Sequence, residues 1–296
     1  KAEIDDIENI YLDLYDVYYG GTYPTEQAKN LNVMDNPIVK DIMPVQDEDG
    51  YYLISTPRQF AAYRSIASDH DATAKAKLVN DVDMAGIAML PIGHNRSGEN
   101  AVHIYRGVLD GQGHALNNVY ISEDYTMGDP ATLFYELKGA TVKNFKLTGE
   151  YYNTNGAKFM GGLTRWTSES STIENCEIAV VMHSYIEGDG THGGVIGISG
   201  DGTVVNNCLV NVTMIGEGAE PTTCCGGVVG WANSSPTINN TLILSQYQNI
   251  SKEGSNVVGR NGFTANNVFY VERSNPHGFG TGGTLASEEQ LASGEI

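Results

Sequence analysis

An asparagine with a constant apolar neighbourhood recurs six times along the chain, at intervals of 26 to 33 residues. Each copy has an apolar residue two positions before it and mostly apolar residues one and three positions after it. A recurrence of about 20 to 50 residues is typical of proteins built from stacked structural repeats. The chain is therefore predicted to form a stack of similar coils. The six positions are Asn118, Asn144, Asn175, Asn207, Asn240 and Asn267.

The residues around each asparagine predict strands. Apolar side chains at positions +1 and +3 have the period of a strand with one buried face. The apolar positions −2 and +1 are three residues apart, which breaks the alternation of a single strand and requires a tight bend between them. Asparagine tolerates the left-handed backbone of such a bend. In this alignment Leu116 shares a column with Val142, and Ile121 shares one with Leu147. We expect the stacked asparagine side chains to hydrogen-bond along the stack.

A Gly-Gly pair marks a further strand in three of the repeats, before Leu163, Val195 and Val228. One coil alone cannot bury its inner face, but stacking makes the core continuous. Three short strands per coil, in phase from coil to coil, predict an all-β fold. Its form is a single-stranded right-handed parallel β-helix of the pectin-lyase-like kind with short capping helices.

The two ends of the chain differ from the repeats. Residues 1–45 alternate apolar and acidic side chains with helical spacing and then contain prolines, which predicts an N-terminal helix and linker. Residues 46–296 are predicted to form the β-helix. A helix over 57–67, opened by Thr56 and Pro57, caps its first coil, and a helix over 287–293 with a capping box caps its last.

Composition narrows the partners. The chain has 17 basic and 36 acidic residues, a net charge of −19, which argues against binding to nucleic acid because phosphates are bound by clustered Lys and Arg. It has no run of 18 apolar residues, so no transmembrane segment is predicted. The four cysteines lack metal-site spacing, and Cys176 and Cys208 are expected as buried free thiols in one column. We expect a monomer without a cofactor, with calcium binding as the alternative that the acidity leaves open.

Several segments together resemble a known family. The closing strand of the repeat reads Gly-Gly-Val-Ile-Gly in one coil and Gly-Gly-Val-Val-Gly in the next, whereas Arg165 replaces the last glycine in the coil before. The chain resembles the β-helical surface proteins with GLUG-type repeats that are plentiful in gut Bacteroides. Similar repeats precede the catalytic region of bacterial immunoglobulin A metallopeptidases. The other matching segments are 54–60, 76–83, 91–93 and 105–114.

Two sets of side chains are candidates for ligand binding. Trp166 and Trp231 lie four residues after the second glycine of their pairs, and Ile198 takes the equivalent place between them. An outward column would form a platform for sugar rings, although the pattern favours the core. Loops over 149–158, 183–192, 215–224 and 247–256 are predicted to leave one edge of the stack. Their candidate side chains are Tyr152, Tyr185, Tyr247, Glu187 and Asp189.

Parallel β-helices also include polysaccharide lyases and glycoside hydrolases, so the acids of the first coils form an alternative site. Asp81, Asp83, Asp110 and His114 are the candidates for calcium binding or acid–base catalysis. The competing interpretation, which we favour, is that they stabilise tight turns next to glycine. No catalytic motif accompanies them, and the question of enzymatic activity stays open with a preference for none.

The resemblance implies an exported protein of the cell surface, lipid-anchored through a residue upstream of Lys1. We expect a non-catalytic module in adhesion, with a glycan or a host surface protein as its partner. The alternatives are an enzyme that acts on complex glycans, either a lyase or a hydrolase, and a structural spacer.

Overall fold

In the computed structural model, the chain winds into successive coils, one for each asparagine period. The strands of each coil pair in parallel with those of the next coil. The structure describes residues 42–85, 87–95, 102–124, 126, 128–276, 278–280 and 282–296. The N-terminal helix and most of the linker predicted within residues 1–45 lie outside the described residues. Over the described part, the chain is an all-β parallel β-helix, as predicted.

Most strands belong to a large sheet that winds around the stack, and four form a separate parallel sheet in the order Val229–Ala232, Ile196–Ser199, Thr164–Ser168 and Phe134–Lys138. Among the described strands only two pairs are antiparallel, Val45–Gln46 with Tyr51–Ile54 and His94–Asn95 with Val102–His103, and both lie in the N-terminal part. The strands are β1 Val45–Gln46, β2 Tyr51–Ile54, β3 Lys75–Leu78, β4 Val82–Asp83, β5 His94–Asn95, β6 Val102–His103, β7 Val108–Asp110, β8 Ala115–Ser122, β9 Phe134–Lys138, β10 Thr141–Lys143, β11 Lys146–Asn153, β12 Thr164–Ser168, β13 Thr172–Glu174, β14 Glu177–Ser184, β15 Gly188–Asp189, β16 Ile196–Ser199, β17 Val204–Asn206, β18 Leu209–Val210, β19 Thr213–Gly216, β20 Thr222–Thr223, β21 Val229–Ala232, β22 Thr237–Ile243, β23 Gln246–Gln248, β24 Thr264–Tyr270 and β25 Thr284–Leu285.

The core consists of columns of like residues, one from each coil. Side chains of one column are buried and lie one strand spacing apart, about 4.8 Å. Because such columns continue from one coil to the next, the core runs through the described stack. One such column contains Leu109, Val142, Ile173, Val205, Ile238 and Ala265.

Five of the six asparagines form one column at the bend. Asn144, Asn175, Asn207, Asn240 and Asn267 all have a left-handed backbone, with φ between 47° and 56°. Asn175 Nδ2 donates to Asn144 Oδ1 at 2.9 Å, and Asn207 Nδ2 donates to Asn175 Oδ1 at 2.7 Å. Each amide thus bridges two coils while its backbone makes the bend that keeps the strand faces in phase.

The sixth asparagine is out of register, which corrects the alignment of the first coil. Leu116 pairs with Leu147, and Leu109 takes the place opposite Val142. Asn118 lies within β8, where a bulge shifts the pairing, and its amide donates to Asp83 of the preceding coil instead of joining the column. The bend of this coil is made by the turn after Asp110, where Gln112 and Gly113 have the left-handed backbone.

Short helices lie at both ends of the described stack. Helix α1, Pro57–Ser65, starts with Thr56 as its N-cap and continues into a π-helical turn, Ile66–His70. Its apolar residues pack into the core of the first coils. A short 3₁₀ turn spans Glu272–Ser274. Helix α2, Glu288–Ser293, starts at Ser287 with both hydrogen bonds of a capping box and ends at Gly294, which has a left-handed backbone.

Candidate functional site

Two tryptophans share an outward column on the separate four-stranded sheet. Trp166 of β12 pairs with Ile198 of β16, which pairs with Trp231 of β21. Trp166 is half-buried and Trp231 is 37% exposed, so the sequence-based preference for the core is wrong. The reason is a local break in the inside–outside alternation of these strands: the residues that point inward are Thr164 and Thr167, both fully buried. Two strand spacings separate the tryptophan backbones by about 10 Å.

A groove of about 320 Å³ lies along this column. Its volume is at the lower end of the range of roughly 300–1,000 Å³ that small-molecule sites have. Aromatic faces, an aliphatic floor at Ile198 and several polar groups meet there, which is the composition typical of a binding pocket. We call it the tryptophan groove. Its lining residues are Phe159, Trp166, Asp189, Thr191, Ile198, Trp231, Asn233 and Arg260.

The loop side of the groove is built from strained backbone. Phe159, Thr191 and Cys224 each lie two residues before paired positions of successive coils, and their φ values are 72°, 48° and 63°. The next coil has Gly254 at this position, with φ 63°. A left-handed backbone is rare for bulky and β-branched residues and costs about 1–3 kcal/mol. Three coils therefore have a residue with a strained backbone at a position where the next coil has glycine. Two of these residues, Phe159 and Thr191, line the groove.

Two glycines allow the loops to pass close over the sheet. A Cβ atom on Gly197 would lie 2.0 Å from the carbonyl oxygen of Phe159, and one on Gly230 would lie 2.5 Å from that of Thr191. The parallel register continues this glycine column to an arginine at each end, Arg165 in one coil and Arg260 in the last. The loops that border the groove thus cross the sheet at two glycines, and the column that holds these glycines has an arginine at each end.

Both arginines are held against the tryptophans. The guanidinium carbon of Arg260 is 5.1 Å from the ring centroid of Trp231. That of Arg165 is 5.6 Å from Trp166, and it also lies over Tyr135 at 4.8 Å. Such cation–π contacts contribute about 0.5–2 kcal/mol and fix the orientation of both partners. The indole rings are therefore pre-oriented on the outer face of the stack.

A polar chain connects the loops with Arg260. Arg260 Nη1 donates to the carbonyl oxygen of Cys224 at 2.8 Å and to Thr191 Oγ1 at 3.3 Å. Thr191 Oγ1 in turn donates to Asp189 Oδ1 at 2.6 Å, and Lys158 Nζ lies 3.2 Å from Asp189 Oδ2. Burial raises the pKa of Asp189, but the hydrogen bond from Thr191 and the charge of Lys158 outweigh it and lower the pKa. Asp189 is therefore an ionised, paired carboxylate.

A buried histidine supports the loop beneath the groove. His192 Nδ1 accepts a hydrogen bond from the backbone N–H of Met160, and Nε2 lies 2.7 Å from Ser184 Oγ. Because Nδ1 accepts, the neutral ring has its proton on Nε2, which donates to the serine. This ring cannot take a proton from Ser184, so the pair is not an activated nucleophile. Burial lowers the pKa of His192 to about 4, which keeps the ring neutral.

Two of the three tyrosines predicted on loops, Tyr152 and Tyr247, lie on strands, because β11 and β23 extend into the predicted loop ranges, whereas Tyr185 follows the last residue of β14. Tyr247 is wrong as a ligand candidate: it is 7% exposed and packs on Phe279 in the core, since its strand pairing places it opposite inward Met214. Tyr152 lies on the outer face of its strand, and its ring stacks on that of His183 with the ring centroids 4.3 Å apart. Tyr185 is 46% exposed.

Of the two predicted loop acids, only Asp189 reaches the tryptophan groove. Glu187 is exposed, and its Oε1 accepts hydrogen bonds from the backbone N–H groups of Ala219 and Glu220 in the next coil. That carboxylate therefore connects two neighbouring loops. Tyr152, Tyr185 and Glu187 are not among the residues that line the groove.

The three aspartates of the alternative catalytic site act as hydrogen-bond acceptors within turns and between coils, and His114 lies beside one of them. Asp81 Oδ1 accepts from the backbone N–H of Ala115 and lies 3.4 Å from His114 Nδ1. Asp83 Oδ1 accepts from Asn118 and from the N–H of Ala85.

Asp110 is the one buried carboxylate of that set. Its Oδ1 accepts hydrogen bonds from Asn144 Nδ2 and the N–H of Gln112. Burial raises its pKa, but these hydrogen bonds and the charge of Lys143 outweigh it, so the pKa is lowered. Asp110 therefore joins the first coil to the asparagine column as an ionised acceptor.

Across the described ranges, no group of three or more His, Cys, Asp and Glu side chains is placed to hold a metal ion. No described helix has the length and apolar character needed to cross a membrane. All four cysteines are free thiols, and Cys176 and Cys208 are buried in neighbouring coils.

Comparison with known proteins places the chain by its fold. No protein-family model matches the sequence, and no curated protein matches it. Among solved structures, it is similar to the crystal structure of a putative immunoglobulin A1 protease from Bacteroides ovatus, with a TM-score of 0.59. The match covers 84% of this chain and 87% of that chain at 17% sequence identity. At this identity the likeness shows the fold alone, and membership of the GLUG-type family stays a prediction.

Sequence reasoning found the two tryptophans and Asp189 but missed Phe159, Thr191, Asn233 and Arg260. A signal for Arg260 exists: the segment 256–260 occupies the strand positions of 226–230, so Arg260 falls where Gly230 stands in the preceding coil. The segment from Arg260 to Asn267 is three residues shorter than the segment from Gly230 to Asn240. This difference in length obscured the correspondence between Arg260 and Gly230 in the sequence.

Proposed function

We propose that this chain is a glycan-binding module of an exported, cell-surface protein, and that the tryptophan groove is its binding site. The observation that carries the proposal is the outward pair of tryptophans, each held by an arginine, above the aliphatic floor of Ile198. The apolar faces of sugar rings pack on indole rings, while sugar hydroxyls need polar partners. Asn233, Thr191 and Arg260 supply such partners at the same groove.

The rigidity of the site supports binding without catalysis. The strained backbone of Phe159 and Thr191 is fixed by the stack, so little conformational entropy is lost when a ligand enters. The ionised Asp189 is paired with Lys158, and among the described residues no second carboxylate lines the groove to form the acid pair that glycoside hydrolysis requires.

The location and attachment are proposed on the fold and on the sequence resemblance. Export to the cell surface and lipid anchoring through a residue upstream of Lys1 rest on the resemblance to exported β-helical surface proteins. The immunoglobulin-directed activity in the name of the Bacteroides ovatus protein is not carried over. A host surface glycoprotein would nevertheless present the sugars that this groove is proposed to bind.

Binding of the intact chain to an array of plant, microbial and host glycans tests the proposal. We expect binding that Trp166→Ala and Trp231→Ala each weaken at least tenfold, since aromatic residues at the centre of a site carry most of its binding energy. Tyr185→Ala removes an exposed tyrosine outside the groove and is the matched control. A blank array, or loss of binding in Tyr185→Ala alone, would contradict the assignment of this groove.

A further inference from the structure

We infer that the tryptophan groove selects a sugar that carries a carboxylate, and that Arg260 is the residue that recognises it. This inference rests on the proposed function and specifies its ligand class. A free uronic acid unit and a sialic acid unit share the required chemistry, a planar carboxylate fixed to a sugar ring. The groove therefore discriminates by charge as well as by shape.

Arg260 is prepared for such a contact. Arginine has five N–H donors in a planar fork, which matches the two oxygens of a carboxylate. Only Nη1 is used within the described part of the chain, by the Cys224 carbonyl and Thr191. The Nε and Nη2 donors make no hydrogen bond to any described residue, so they are available to a ligand. Nη1 is already hydrogen-bonded and the guanidinium group lies against Trp231. The side chain therefore loses less conformational entropy on binding a ligand than a freely rotating arginine would.

The local charge favours an anion in an otherwise acidic protein. The chain has a net charge of −19, and anions are repelled from most of its surface. At the groove, Lys158 pairs with Asp189, Arg260 is one of the lining residues, and Arg165 contacts the ring of Trp166. Glu136, beside Trp166 in the next strand, accepts a hydrogen bond from Ser168. Arg260 is the one cation among the described lining residues, and its charge also helps to lower the pKa of Asp189.

The directions of the hydrogen bonds along the polar chain show that a ligand group at Arg260 must be a hydrogen-bond acceptor. Thr191 uses its hydroxyl hydrogen toward Asp189, and its oxygen already accepts from Arg260. What the arginine offers to the groove is N–H donors alone. Charge-assisted, bidentate pairs of this kind are roughly twice as strong as neutral hydrogen bonds. A neutral hydroxyl at the same place would gain less.

Calorimetric titration with matched probes tests the inference. The charged probes are an oligogalacturonate and a sialyllactose, which distinguish the two sources of the carboxylate. Their neutral counterparts are the methyl-esterified oligogalacturonate and lactose. We expect at least one charged probe to bind at least tenfold more tightly than its counterpart. Arg260→Gln should remove this preference, and Arg260→Lys, which keeps the charge without the fork, should recover only part of it.

Thermal unfolding of each variant, and Arg273→Gln as a charge-matched change away from the groove, separate recognition from stability. If neutral and charged probes bind equally and Arg260→Gln changes neither, the carboxylate inference is overturned, while binding that depends on Trp231 leaves the proposed function standing. If none of the four probes binds, the carboxylate inference is overturned as well. A blank glycan array would then remove the proposed function too.

Discussion

Thr191 Oγ1 donates a hydrogen bond of 2.6 Å to Asp189 Oδ1 across the loop that borders the tryptophan groove. The threonine keeps a left-handed backbone with φ 48° to make this contact. The same oxygen accepts from Arg260. Thr191, a residue with a strained backbone, therefore contacts both the ionised carboxylate of Asp189 and the guanidinium group of Arg260 at the groove.

Replacing this hydroxyl should be visible in the titration of Asp189. In Thr191→Val the side chain keeps its branched shape but loses the hydrogen bond that helps to lower the pKa of Asp189. We expect that pKa to rise toward its ordinary value, because burial then acts with less opposition. The carboxyl resonance of Asp189, followed by NMR against pH, measures the change. An unchanged pKa would mean that the charge of Lys158 alone holds the carboxylate ionised.

The strained column predicts that glycine stabilises the protein at one of its positions. Cys224 has φ 63°, and the next coil has Gly254 at the equivalent place with the same φ. Cys224→Gly should raise the free energy of unfolding by about 1 kcal/mol, since relief of a strain of roughly 1–3 kcal/mol exceeds the entropy cost of glycine. Denaturant unfolding measures this difference.

The neighbouring thiol provides the control for that experiment. Cys225 is fully buried and does not have a positive φ. Cys225→Gly should therefore lower the free energy of unfolding by about 1–3 kcal/mol, through a cavity and added chain entropy. If both substitutions destabilise the protein equally, the backbone at Cys224 is not strained.

The asparagine column makes a graded prediction. Asn175 has a left-handed backbone and one side-chain hydrogen bond to each neighbouring coil. Asn175→Gly keeps the backbone and should cost about 1–2 kcal/mol for the two hydrogen bonds. Asn175→Ala should cost about 1–2 kcal/mol more, because alanine is strained there. Urea unfolding of the two variants measures the order, and equal costs would show that the bend carries no strain.

The repeat predicted the fold but not the phase of its first coil or the face of the tryptophans. Apolar residues at alternate positions recur in every coil, so the columns that begin at Val142 could be aligned from the sequence. Asn118 has the same neighbours but a different role, because the bend had moved to the turn after Asp110. Local patterns cannot distinguish a bulge within a strand from a bend between strands.

The groove was harder to predict because it depends on contacts between coils. Trp166 lies in a strand in which the alternation of faces breaks, so parity could not decide which face it is on, and the preference for the core was wrong. Arg260 gains its role from Cys224 and Thr191, which are 36 and 69 residues away in sequence. Tyr247 looked like a loop residue because its strand is short, yet its register with Met214 turns it inward. The sequence signals mark strands, whereas the site arises from the order in which the strands stack.

The buried His192 predicts a specific loss of stability in acid. Burial lowers the pKa of its ring to about 4 in the folded protein, whereas the unfolded chain has an ordinary value of about 6.5. The unfolded state therefore takes up a proton first as the pH falls. Stability from this residue is complete above pH 6.5 and declines toward pH 4, by about 3 kcal/mol in total.

His192→Gln removes this titration, although it also lowers stability at pH 7 through the loss of contacts to Met160 and Ser184. Between pH 7 and pH 4.5, its free energy of unfolding should fall by about 2–3 kcal/mol less than that of the unsubstituted protein. His70→Gln, at an exposed position, should retain the full decline. Urea unfolding at the two pH values gives all three differences. Parallel pH profiles for the two variants would mean that His192 becomes protonated inside the folded stack, and that the loop under the tryptophan groove is open to water.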